Sequence, residues 1–488
     1  MKKIVYTRER ADKYIEQNGG RVDNTFRLRY HFSPPIGWMN DPNGLVYYKG
    51  EYHIFYQYNP YDSVWGAIHW GHTVSKDLLS FTHCGVALAP DLSDEDGCFS
   101  GGAIVNAYNP DELVLMYTKH KKTGFVTRER QGMAVSYDGK IFEKADKPIL
   151  DSADLPKHAN RKDFRDPKPV YIDGNYYVFV GSRSRGNKPD RAADKSISRG
   201  KGGQILVYRS GDLRSYAYFM TIGANERFGE MCECPDFIRL CGKDILIFSA
   251  IASRRRGKGL QKKNSCLYAA GKFDIENKCF DIENIGEIDC GHDFYAAQTM
   301  TDGRGRTVLS AWMGTWEKEY FLHRNGHGRN GALTVPRILD YKDGRLIQTP
   351  PDELNDKRAA SLRIGELLPK AVDGTFVFDA KSGGDISVRI VSGDDDGDYA
   401  EFGLNDGRFF LDLANVKLAP QGRLFSKDIY ADSFEVRMLL DVSSVEFFLD
   451  GGRESMTARL FLSGTQYRLE LVDGDNDVAC RELYEINI

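Results

Sequence analysis

Apolar and polar positions alternate with a period of two along most of this chain, in short runs closed by Gly- or Asp-containing turns, and this is the rhythm of strands. Leu45-Val46-Tyr47-Tyr48, the turn at Lys49-Gly50 and the run Tyr52 to Tyr58 predict a hairpin. The pattern returns as 169–172, Asp173-Gly174 and 176–180, and again as 237–240, Gly242-Lys243 and 245–248. A second kind of run enters an Asp-containing corner each time: Thr73 to Leu78, Ala134 to Gly139 and Val207 to Leu213. A helix is read only in two short polar stretches, Arg10 to Gln17, stopped by Gly19-Gly20, and Asp352 to Leu362. Beyond Thr349-Pro350-Pro351 and a polar stretch, short alternating strands follow one another to the end (376–378, 386–390, 409–413, 434–438, 445–449), which is a β-sandwich pattern.

The earlier strands are organised by an internal repeat. Segments that begin alike start at Asp41, Phe99, Asp166, Glu233 and Asp293, with spacings of 58, 67, 67 and 60 residues. A period near 60 with several strands per unit predicts a β-propeller. If each marked residue opens the innermost strand of its blade, the carboxylates of Asp41, Asp166 and Glu233 converge on one mouth of the central channel. Like charges gathered in a partly dry cleft raise one another's proton affinity, so the arrangement points to acid–base chemistry.

Composition narrows the picture. A chain of 488 residues with 41% hydrophobic and 28% charged content is ordinary for a globular protein of two or three domains. The net charge of −4 gives no global attraction to nucleic acid or to an anionic membrane, and neither is expected as a partner. The N-terminus turns charged where a signal peptide needs an apolar run, and no apolar stretch reaches membrane-spanning length. Nine cysteines, odd in number and without metal-clip or disulfide-framework spacing, point with this to a cytoplasmic location and to no metal or cofactor. Self-association into a homo-oligomer is left open. Two stretches, 183–203 and 254–263, are strongly basic; solvated loops and a rim that attracts an anionic substrate are the two readings. The acidic run Asp394-Asp395-Asp396 reads as a solvated turn or as a calcium loop.

Taken in order, the motifs Trp38-Met39-Asn40-Asp41-Pro42-Asn43-Gly44, Gln57-Tyr58-Asn59-Pro60, Trp65-Gly66, Phe99-Ser100-Gly101, Arg165-Asp166-Pro167, Glu233-Cys234-Pro235, Asp293-Phe294-Tyr295-Ala296, Trp312-Met313-Gly314, Leu333 to Arg337 and Leu440 to Glu446 resemble glycoside hydrolase family 32, the invertases, sucrose-6-phosphate hydrolases, inulinases and levanases. The resemblance implies an all-β chain: a five-bladed β-propeller over residues 1–350 with a short polar segment at 1–25, a linker at 351–365 and a β-sandwich over 366–488. It implies a retaining β-fructofuranosidase whose partner is a small sugar, with sucrose or sucrose 6-phosphate foremost, and fructan hydrolysis, fructosyl transfer or a non-catalytic sugar-binding propeller as alternatives. By resemblance Asp41 is the nucleophile, Glu233 the general acid/base and Asp166 the holder of the fructose hydroxyls. Asn40, Gln57, Trp65, Phe99, Ser100, Arg165 and Trp312 match pocket positions, and Arg165 is expected to keep its neighbour Asp166 ionised and oriented. His69, His72 and Trp70 are read as scaffold. The chain departs from the family pattern at Lys119, Cys232, Ala297 and Ala311, and Cys232 with the basic loops puts the leaving-group side in question.

Overall fold

The computed structural model describes residues 5–185, 202–224, 226–252, 261–316, 320–379, 386–428, 433–464, 466–473 and 477–488. Most of both basic stretches therefore lies outside the described residues. The N-terminal helix, Arg8–Asn18, is capped by the Thr7 side chain and buries Ala11 and Ile15. Asp12 ties it to the outer strand of the first sheet by accepting from the Val86 N–H at 2.9 Å.

Five antiparallel sheets follow in chain order, each paired from an inner strand outward. Their inner strands are Gly37–Tyr48, Gly97–Asn106, Ala159–Ile172, Met231–Leu240 and Tyr295–Thr301, here blades I to V. These strands neighbour one another around a ring, blade V packing back on blade I. A two-residue strand, Arg329–Asn330, closes the ring by pairing in parallel with Gly37 and Trp38 of blade I.

The expected hairpins form where local chemistry dictates them. Lys49-Gly50 and Asp173-Gly174 have two consecutive positive φ angles, the type I′ geometry that matches strand twist; in the third hairpin the pair is Cys241-Gly242, one residue ahead of the expected Gly242-Lys243. The Asp corners are equally repetitive. Asp77, Asp138 and Asp212 each bond a serine hydroxyl two residues back and accept backbone N–H groups two and three residues ahead.

The C-terminal part is two six-stranded sheets packed face to face over one apolar core that includes Phe376, Phe402, Val436, Phe447 and Leu469. All five runs expected there lie inside observed strands. Arg358–Ser361, within the stretch expected as linker, is an edge strand of the first of these sheets. In the acidic run, Asp395 pairs with Lys417 and Asp396 with Arg468. No helix among the described residues is long and apolar enough to cross a membrane.

Candidate active site

One local device repeats at the top of every blade. The pairing of inner and second strands slips between Met39 and Pro42, between Phe99 and Gly101, opposite Phe179 and Gly181 (at Arg165 to Lys168), between Glu233 and Asp236, and between Tyr295 and Gln298. A bulge bends its strand and re-aims a side chain, so five bulges in register turn five sets of side chains toward one axial opening. Asp166, Cys234 and Ala296 reach this geometry with φ of 64°, 45° and 55°, unusual for residues with a Cβ. The freed backbone N–H groups are satisfied across blades. Asp166 N–H donates to Thr118 Oγ1 at 2.8 Å, Cys234 N–H to Asp166 Oδ2 at 2.9 Å and Ala296 N–H to Ser249 Oγ at 3.0 Å.

The three acids meet in a cavity of about 330 Å³ whose lining includes Asn40, Asp41, Gln57, Trp65, Phe99, Ser100, Glu129, Asp163, Arg165, Asp166, Glu233 and Trp316. Asp41 Oδ2 accepts from Ser100 Oγ at 2.7 Å, and Oδ1 from Asn40 Nδ2 at 2.8 Å. The Cys234 thiol lies 3.5 Å from Asp41 Oδ2 and 3.7 Å from Asp166 Oδ2, so one sulfur touches both carboxylates. Glu233 is held at both ends: Oε1 accepts from Arg165 Nε at 3.1 Å and Nη2 at 3.0 Å, and Oε2 from the Tyr295 hydroxyl at 2.9 Å.

Burial pushes the Asp41 carboxyl up to about 7; the nearby charge of Glu233 adds to this, while the bonds from Ser100 and Cys234 and the charge of Arg165 oppose it. Asp166 is raised too, by burial first and by the charges of Glu233 and Asp41, against the pull of Arg165 and the Cys234 N–H. Burial holds the Cys234 thiol well above its ordinary range, so it stays a neutral donor. Lys168, two residues beyond Asp166, is buried and donates to Asp236 at 2.9 Å and to the Thr299 carbonyl at 2.7 Å.

Nine of the ten residues singled out from sequence line this one cavity. Trp312 does not. It is buried in blade V, lines a smaller neighbouring cavity and packs edge-on against Trp316 at 5.2 Å, and it is Trp316 that reaches the site. Arg165 also departs from expectation: its bonds go to Glu233, Glu129, Asp163 and the Met231 sulfur, and it acts on Asp166 only through its charge, which burial outweighs, so Asp166 holds its proton more tightly than expected. Asp293 sits just ahead of the blade V inner strand and accepts the Arg459 N–H of the sandwich, so that blade presents Tyr295 to the site. Cys232 is buried between blades III and IV with its thiol on the Phe228 carbonyl, away from the cavity lining. Lys119 is buried and paired with Asp94 at 2.9 Å. His72 bonds His53 at 3.0 Å and stacks on Phe55, His69 bonds the Ala67 carbonyl, and Trp70 is fully buried. Glu129, Asp163, Tyr295 and Trp316 escaped the sequence reading as site residues, although Tyr295 stood in a marked motif and Trp316 follows Trp312 by four positions.

The models of the Glycosyl hydrolases family 32 N-terminal domain and C terminal match residues 31–350 and 367–484. The chain belongs to glycosyl hydrolase family 32. Among its family 32 relatives, the raffinose invertase of Escherichia coli is 32% identical over 487 residues, covering 96% of each chain. The sucrose-6-phosphate hydrolase of Bacillus subtilis strain 168 is 32% identical, covering 93% of each. In three dimensions the Bombyx mori GH32 beta-fructofuranosidase superposes with a TM-score of 0.83, at 31% identity and 98% coverage of both chains. A variant of that silkworm enzyme has been solved in complex with sucrose. The family and these relatives make the chain a β-fructofuranosidase, a glycosidase of the propeller-plus-sandwich architecture.

Proposed function

We propose that this family 32 enzyme cleaves sucrose or sucrose 6-phosphate with net retention, Asp41 acting as nucleophile, Glu233 as general acid/base and Asp166 as the grip on the fructosyl hydroxyls. The carrying observation is the convergence of these three carboxylates, from the bulges of blades I, III and IV, on one cavity. In the first step Asp41 attacks the anomeric carbon while Glu233 passes its proton to the glycosidic oxygen, releasing the aglycone and leaving a fructosyl ester on Asp41. In the second step Glu233 takes a proton from water, whose oxygen attacks the same carbon; fructose leaves and both carboxyls return to their starting states. Ser100 and Asn40 fix the attacking oxygens, and Arg165 with Tyr295 fixes the proton donor, so little reorganisation is left for the transition state. The cavity volume suits a short saccharide entering by its end. The names of the E. coli and B. subtilis relatives support the choice of substrate. Nine free cysteines support a reducing, cytoplasmic setting.

The test is fructose release from sucrose, sucrose 6-phosphate, levanbiose and inulin by the wild type and by Asp41→Asn. Sucrose or its 6-phosphate should be the preferred substrate, and the variant should lose at least about 10³-fold on it. Equal rates for wild type and variant would remove Asp41 from the mechanism, and a preference for inulin would replace the substrate.

A further inference from the structure

Arg165 is shared. One edge of its guanidinium holds Glu233; the other holds Glu129, with Nη1 3.2 Å from Oε2 and 3.5 Å from Oε1. Glu129 lies on the third strand of blade II, Val126–Ser136, and is buried, with 5% of its surface exposed. Its Oε2 also accepts the Phe164 N–H at 3.0 Å, which pins the carboxylate to the strand that carries Arg165 and Asp166. Two further groups meet this pair. Asp163 Oδ1 lies 3.3 Å from Arg165 Nη1, while its Oδ2 is taken by Arg183 at 2.8 Å. His120 places Nδ1 3.7 Å from Glu129 Oε1, its ring stacked flat on the cavity residue Phe99 at 4.0 Å. The Arg130 and Lys119 beside Glu129 in the sheet turn to Asp94 instead. Around Glu233 itself stand Arg165, Tyr295, Asp41, Asp166 and the Cys232 and Cys234 thiols.

A cation bonded twice to a proton donor favours loss of the proton, which is the wrong direction for a general acid. We propose that Glu129 is a positioning residue that offsets the Arg165 charge, so that the guanidinium can hold Glu233 in place without stripping the proton it must donate. The inference rests on the reading of Glu233 as acid/base. Burial disfavours a charged Glu129, yet Arg165 and His120 hold its carboxyl below the usual range, so the offsetting charge is present at working pH. Asp41, Asp166 and Glu233 share one small site, and the basic limb of the pH–rate profile reports loss of the last proton the site needs. Removing a fixed negative charge nearby lowers that limb whichever carboxyl carries the proton.

The experiment is the pH dependence of kcat/KM for fructose release by the wild type, E129Q, E129D and E233Q, with thermal melts of each. E129Q should fold, since an amide oxygen can still accept the Phe164 N–H, and its basic limb should move down by about one pH unit. E129D keeps the charge, so its limb should stay with the wild type even if its rate falls. A limb unmoved in E129Q, a uniform loss at every pH, or an E129Q chain that does not fold would each overturn the role, with E233Q inactive in the same series. An E233Q enzyme with wild-type turnover would instead overturn the acid/base reading, and the inference with it.

Discussion

At the scale of one residue, the role proposed for Asp41 sets function against stability. Its carboxylate is buried beside Glu233, and burial first, then that charge, lift its pKa from 3.8 to about 7. A carboxyl raised in the folded state leaves stability intact below its unfolded pKa and subtracts from it as pH climbs through the folded one. The loss here opens near pH 4 and is complete a little above pH 7, with an upper bound of about 4 kcal/mol from the size of the shift. Asp41→Asn should therefore be inactive but more stable than the wild type at pH 8, and the difference should close toward pH 4. Denaturant unfolding of both proteins at pH 4, 6 and 8 checks this. A variant less stable than the wild type at pH 8 would mean that the bonds from Ser100 and Asn40 outweigh the cost of burying the charge.

At the scale of elements, the site is made by bulges, and bulges need space for backbone. Gly101 follows Ser100 in the blade II bulge, and a Cβ there would meet the Met116 carbonyl oxygen at 2.0 Å and the Tyr117 Cα at 2.8 Å. Neither atom belongs to a flexible side chain, so Gly101→Ala must open the inner pair of the blade. It should cost about 1–3 kcal/mol and disturb the Ser100 bond to Asp41, with fructose release falling further than the loss of folded protein explains. A melt and a rate both equal to wild type would show that the strand can shift freely. The inner-strand acids were legible in the sequence because their spacing repeats, and the hairpins because Lys-Gly and Asp-Gly pairs adopt type I′ turns. The partners of those acids were not. Arg165 sits beside Asp166 in sequence, but successive strand positions point to opposite faces and a bulge alters the alternation, so adjacency did not say which acid it would hold. Glu129 lies on a strand that reaches the cavity only because the blade II hairpin, Asn109–Thr123 with Val126–Ser136, is long; nothing in its residue type marks it.

At the scale of the whole molecule, two of the family motifs, Leu333 to Arg337 and Leu440 to Glu446, serve the junction between propeller and sandwich. His31, just before blade I, bonds Asp441 through Nδ1 and Glu446 through Nε2, both at 2.8 Å and both from the sandwich. Glu446 also accepts the Val335 N–H at 2.8 Å and binds Arg337, which is itself fully buried between the rings of Phe294 and Phe448. Asp441 further accepts the N–H groups of Arg29 and Tyr30. The same region carries the strand Arg329–Asn330 that closes the propeller ring beside Trp38, three residues from Asp41, so the sandwich braces the catalytic end of blade I. Burial alone would depress the His31 imidazole, but its bonds to two carboxylates outweigh that and raise it from 6.5 to about 9. A base raised in the folded state stabilises fully below its unfolded pKa and loses that contribution as pH rises through the folded value. The junction should accordingly weaken between about pH 6.5 and pH 9, by up to about 3 kcal/mol. His31→Gln removes the titrating charge, so it should be destabilised by a similar amount at pH 6 and show a flatter profile across the window, meeting the wild type near pH 9.5. Unfolding of both chains at pH 6, 7.5 and 9.5 decides the matter: parallel profiles would mean that other groups carry the loss, while convergence assigns the part that the variant lacks to the His31 imidazolium.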